Sequence, residues 1–345
     1  MQVGYQRMTI NAVAGDIKKL IKAGRLADAG HVAYQAAVTG RADEETLGLG
    51  AGAAYQAGAD GLGLELFSRL DARRALDAGQ WAMMGHAAER LGVSRVALPA
   101  YHRSLDLKPG DAAVHYNLGS LQLRRHQWTE AITHLRAACD ARPDWQPAWE
   151  NLAQALVGTE HYETVVPFLA DCMARFPDNP VFAFQHAAAL LHMGDRPGAE
   201  AAYRDLTARL PANAAAGAGL AAAVIQDGRK DDAAALIADA AAKGARSHDL
   251  DEMAATLKLD AGDADAAIAG YEAILAAQPD HRLARVNLVD ALLQAGDHKR
   301  ALKVCDDRLA AVPGDPEMLA YRAIVMTDMG QAAEAEAFLQ PNLIM

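Results

Sequence analysis

The chain has 345 residues, 44 acidic and 33 basic, with a formal charge of −11. That balance disfavours sequence-independent binding to phosphate backbones, which needs clustered Lys and Arg, so no nucleic-acid partner is expected. Hydrophobic residues make up 52% of the chain and aromatic ones only 6%, which suits many thin, closely packed helices better than one thick core.

Met1 to Met8 lead into Asp16-Ile17-Lys18-Lys19 without the apolar stretch of a signal peptide. The longest apolar run, Ala214 to Ile225, has 12 residues, short of the roughly 20 that span a bilayer. A soluble, cytoplasmic protein without membrane insertion is the expectation. Cys139, Cys172 and Cys305 form an odd set without C-x-x-C spacing and fall in helix interiors, as small buried residues in a reducing compartment would.

Stepping by 34 residues from Ala112 gives unit starts at 10, 44, 78, 112, 146, 180, 214, 248, 282 and 316, with no insertion or deletion. A period of that length marks a helical repeat array. In each unit, small or apolar residues at positions 4, 7, 8 and 11 predict a first helix, A, with one buried stripe. Position 15 is glycine in eight units, at Gly24, Gly58, Gly92, Gly194, Gly228, Gly262, Gly296 and Gly330. A left-handed residue closing helix A explains this, and the exceptions His126 and Glu160 predict a slightly strained turn. Position 20, in a second helix B, is small or β-branched throughout, as close packing of A on B requires. Proline at position 32, as in Pro109, Pro143, Pro177, Pro211, Pro279 and Pro313, ends helix B.

The expected fold is all-α: a right-handed superhelical α-solenoid of about ten helix-turn-helix repeats. Residues 1–9 form a lead-in, residues 10–345 the array, and the last unit is incomplete. The alanine-rich unit Ala214 to Ser247 buries little per residue and is a candidate hinge. The end, Phe338 to Met345, has no polar capping helix, which predicts either cover by a partner, continuation into a longer chain, or self-association through Leu343 and Ile344.

At these positions the chain resembles the tetratricopeptide repeat family, with its pattern W-x2-L-G-x2-Y, A-x3-F and P. The unit with His115, Leu118-Gly119, Ala131, Leu135 and Pro143 matches best, followed by Trp149, Leu152-Ala153, Ala155-Leu156, Val165, Leu169 and Pro177. The resemblance implies that helix A lines a concave groove that binds a protein or peptide. Position 6 then reads Asn117, Asn151 and Gln185, with a further Asn287. Such amides, one repeat apart, resemble a short asparagine ladder of the O-linked N-acetylglucosamine transferase family, which would read a peptide backbone; the alternative is a hydrogen bond within the array. Tyr116, Glu150 and Phe184 at position 5 flank the ladder. Arg90 and Arg124 at position 13, with His86, lie toward the N-terminal side, while the C-terminal units present Asp249, Glu252, Asp260, Asp290 and Asp328, so the groove is either polarised along its length or ordinarily solvated. A clamp for a chaperone's terminal carboxylate is not expected, because Tyr116 and Ser120 stand where that variant of the family has Lys and Asn.

No zinc-binding, nucleotide-binding or nucleophile-elbow motif occurs, so no cofactor, metal or catalysis in this chain is expected. His115, His126 and His134, the densest histidine group, are expected to point apart. The expected function is a protein-protein interaction scaffold. The alternative is the substrate-docking array of a larger enzyme of sulfotransferase, glycosyltransferase or 2-oxoglutarate-dependent dioxygenase type.

Overall fold

The computed structural model describes residues 2–339, with side chains from Ala12 onward. Among the described residues there are twenty α-helices and no strand. The fold class is the all-α repeat solenoid expected from the sequence.

The chain divides into two compact units, Met1–Phe176 and Pro177–Met345. The first holds α1 (Gln2–Lys22), α2 (Leu26–Val38), α3 (Glu44–Gln56), α4 (Asp60–Asp71) and α5 (Ala78–Arg90). It continues with α6 (Ser94–Leu107), α7 (Ala112–Arg124), α8 (Trp128–Ala141), α9 (Gln146–Val157) and α10 (Tyr162–Arg175). The second holds α11 (Pro180–Met193), α12 (Arg196–Arg209), α13 (Ala214–Gln226), α14 (Lys230–Ala242) and α15 (His248–Asp260). Then follow α16 (Ala264–Ala277), α17 (Arg282–Gln294), α18 (His298–Ala311), α19 (Pro316–Asp328) and α20 (Ala332–Leu339). Odd-numbered helices are type A and even-numbered helices type B. α1 begins at Gln2, so most of the segment read as a lead-in is helical. The boundary between compact units falls at Phe176, not in the alanine-rich repeat read as a hinge. Leu343 and Ile344 lie outside the described residues.

The left-handed closure of helix A is present in all ten repeats. The eight glycines named above have φ between 72 and 86°, and His126 and Glu160 adopt φ 56 and 58°. They are the two non-glycine residues in that region among the described residues. An L side chain is held there against its own preference, at about 1 kcal/mol.

Helix A is opened as regularly as it is closed. Position 34 supplies the N-cap, and its side chain accepts from the first-turn backbone at Asp43, Asp77, Asp111, Asn179, Asn213, Ser247, His281 and Asp315. Trp145, before α9, is the exception and makes no side-chain cap.

Helices pack A on B through small residues. Ala29, Ala97, Ala131, Ala199, Ala233, Ala267 and Ala301, all at position 20, are fully buried. Gly85 of α5 is filled by the ring of Tyr101 from α6, and a Cβ there would lie 2.7 Å from that ring. A second recurrent contact ties successive repeats. The position-4 side chain donates to the carbonyl of the preceding position-32 proline: His115 Nε2 to Pro109 (2.8 Å), Trp149 Nε1 to Pro143 (3.0 Å), and Arg285 Nη2 to Pro279. The turn carbonyl is left without an intrahelical partner by the proline that ends helix B, and position 4 satisfies it. A tryptophan, a histidine and an arginine share the role because each presents a side-chain N–H at similar reach.

Candidate functional site

The residues at positions 5 and 6 lie on helix A, whose register is fixed by the cap at position 34 and the turn at position 15. In the first unit, α7 and α9 pack side by side. They carry Tyr116 and Asn117, and Glu150 and Asn151, all four half-buried. Asn151 Nδ2 donates to Ser120 Oγ at 2.8 Å, a bond from one helix A to the previous one. It uses one donor of a carboxamide that has two donors and an acceptor. Glu150 accepts from Gln146 Nε2 at 2.9 Å.

Trp145 joins these residues although it carries no mark in the hydropathy pattern. Its ring lies 4.5 Å from that of Tyr116, and the Arg142 guanidinium sits 4.3 Å from its centroid. Arg142, Trp145 and Tyr116 thus form one cluster, with the Tyr116 and Trp145 rings tilted at 39°. The signal was available in the register: Trp145 is the position-34 residue that lacks a cap. Forgoing a cap costs about 1 kcal/mol; in exchange the half-buried ring packs against the cluster that holds Leu135, Cys139 and Leu152 and carries the Arg142 guanidinium over its face.

In the second unit, Gln185 and Phe184 lie half-buried on α11. The Gln185 carboxamide oxygen is enclosed without a hydrogen-bond partner. Asn287 on α17 hydrogen-bonds the buried Tyr271 hydroxyl, which also meets Thr256 Oγ1 at 2.9 Å. That amide serves the contact with α16.

The two arginines of the expected polarised groove are engaged inside the array. Arg90 pairs with Asp60 and lies over the Tyr55 ring at 5.2 Å. The Asp60 carboxylate raises the Arg90 pKa. Arg124 pairs with Glu89, which also accepts from Tyr101 at 2.5 Å. Burial and the bond to Glu89 push the Tyr101 phenol up. Of the acidic set, Asp260 pairs with Lys230 at 2.7 Å, Glu252 lies 3.7 Å from His281, and Asp290 accepts from Tyr321 at 3.2 Å. Burial raises the Asp290 carboxyl. Asp249 and Asp328 are exposed.

The histidines need a correction. His115 and His134, expected to point apart, meet at 3.0 Å through their Nδ1 atoms, and His102 stacks edge-on against His134 at 5.9 Å. Only His126 is separate, against Trp128. The stripe position of His115 faces the neighbouring helix B, and the α7–α8 pairing brings His134 to it. His115 Nε2 faces a carbonyl and must donate, so in the neutral ring its Nδ1 accepts and His134 Nδ1–H donates. Burial, then His115 and His102, pull the His134 imidazole down from 6.5 to about 4. Among the described residues no group of three or more His, Cys, Asp or Glu is arranged to hold a metal ion. The three cysteines are buried free thiols, each pushed up to about 12 chiefly by burial. Among the described residues no helix is long and apolar enough to cross a membrane.

Comparison with known proteins agrees with this architecture. The family model described as "Tetratricopeptide repeat" matches residues 82–144 and 252–316. Cellulose synthase operon protein C of Xanthomonas axonopodis pv. citri is 30% identical over 231 residues, covering 62% of this chain and 15% of that protein. Cellulose synthase 2 operon protein C of Komagataeibacter xylinus is 26% identical over 287 residues, covering 77% of this chain and 22% of that protein. The chain thus spans less than a quarter of the length of these relatives. Among solved structures, a tetratricopeptide repeat protein from Parabacteroides merdae superposes with a TM-score of 0.52 at 14% identity, covering 72% of this chain and 98% of that one. At that identity the likeness concerns the fold.

Proposed function

This chain belongs to the tetratricopeptide repeat family, and on that premise we propose that its protein-interaction scaffold binds an extended peptide or helix of a partner along helices α7 and α9. The observation that carries this reading is the cluster of Arg142, Trp145 and Tyr116, at the same pair of helices that carries Asn117 and Asn151. Aromatic and arginine side chains dominate binding energy at protein interfaces, and amides pair with a backbone irrespective of sequence. Affinity capture from a lysate, compared between the intact chain and an Asn117→Ala, Asn151→Ala variant and read by mass spectrometry, tests it. The variant is expected to lose specific partners while its melting temperature holds. A fall in stability with partners retained would assign the amides to packing.

A second reading is favoured by the names of the relatives. The array would dock components of a cellulose-synthesis apparatus, with any catalysis carried outside the repeats. Deleting the gene and measuring cellulose output tests this. A fall supports the reading, and unchanged output overturns it.

A further inference from the structure

A cavity of about 480 Å³ lies where the start of α17, the end of α18 and the start of α19 converge, and three of its lining residues are arginines. Two of them are matched by carboxylates. Arg282 makes a two-pronged pair with Glu317, through Nε at 2.6 Å and through Nη2. Arg308 pairs with Asp315 at 3.0 Å and with Asp280 at 2.9 Å.

Arg285 is different. It is only 7% exposed, and among the described residues it has no carboxylate within ion-pair distance. Its Nη2 donates to the Pro279 carbonyl, while a guanidinium carries five donors. It occupies position 4, where the equivalent Trp149 makes the same bond to Pro143. An arginine is thinner than an indole, so the exchange keeps the turn bond, opens space and adds a charge. A buried charge without a directly paired carboxylate is costly, and Asp315 and Asp280 act on it only from a distance while paired with Arg308.

We propose that this cavity is a binding site for one oxyanion group, a phosphate or a carboxylate, held by Arg285 with Arg308 at its rim. The arrangement supplies a planar fork with spare donors, the geometry that favours arginine for bidentate oxyanion recognition. Burial, then the neighbouring Arg308, depress the Arg285 pKa against the weaker pull of Asp315 and Asp280, and an arriving anion would relieve both effects.

The test is calorimetric titration of the full chain with inorganic phosphate and, separately, with acetate, each against chloride at equal ionic strength. Saturable binding of either anion is expected, and the preferred one identifies the class. Arg285→Trp restores the aromatic donor, fills the cavity and should weaken binding at least tenfold with the helical circular dichroism unchanged. Should that variant misfold, Arg308→Gln reads the same site, again with a predicted tenfold or larger loss. Absence of saturable binding of both anions, or equal binding by the wild type and a folded variant, would overturn the proposal.

Discussion

At the scale of single residues, the repeat assigns a separate job to each position, and the exceptions carry the information. His126 and Glu160 take the left-handed closure that glycine fills in the other eight repeats. Glu160→Gly should therefore raise stability by about 0.5–1 kcal/mol, measured as a shift in denaturant midpoint. The position-4 donor has the opposite signature. Trp149→Phe keeps an aromatic ring but withdraws the N–H from the Pro143 carbonyl, and a loss of about 1 kcal/mol is expected in the same assay. The closure was legible in the sequence because a left-handed residue leaves a compositional mark, even where glycine is missing. The donor was not, because Trp, His and Arg share no property visible in a hydropathy pattern, only an N–H at similar reach.

At the scale of helices, packing is set by small residues facing large ones. Gly85→Ala would push a methyl against the Tyr101 ring, and a loss of about 1–3 kcal/mol is expected because α5 and α6 cannot separate without opening their shared core. The α7–α8 pair contains a titratable contact. His134 is held neutral in the fold, with its pKa pulled from 6.5 to about 4. Between those values the unfolded chain binds the proton that the folded chain refuses, so stability falls as pH drops from 6.5 towards 4. The groups facing His134 are His115 and His102. Denaturation at pH 7.5 and pH 5 should show a smaller difference for His134→Phe than for the wild type. Helix boundaries and the buried face were readable from the 34-residue period. The contacts between helices were less so: the pairs Arg90 with Asp60, Arg124 with Glu89 and Asn151 with Ser120 join residues about one repeat apart, and only the stacking of helices decides which side chains meet.

At the scale of the whole molecule, each compact unit has its own buried clusters. One in the first unit is built around Ile17, Leu47, Leu66 and Phe67, and one in the second around Tyr271, Leu288 and Leu292. A solenoid draws its stability from neighbouring repeats, so residues 1–176 expressed alone should keep the helical circular dichroism expected from α1 to α10. The uniform period gave no hint of the division at Phe176, since the 34-residue spacing runs through it unbroken. The candidate interaction surface lies wholly in the first unit and is distinguished by one residue, Trp145, which packs against Tyr116 in place of capping α9. The most direct measurement is the affinity of Trp145→Asp for a partner captured by the intact chain, taken together with its thermal stability. Affinity is expected to fall at least tenfold with the helical circular dichroism kept, and stability to fall by about 1–2 kcal/mol, because the restored cap returns only about 1 kcal/mol of what the ring contributes by packing on the core. Unchanged affinity would contradict the proposed interaction surface.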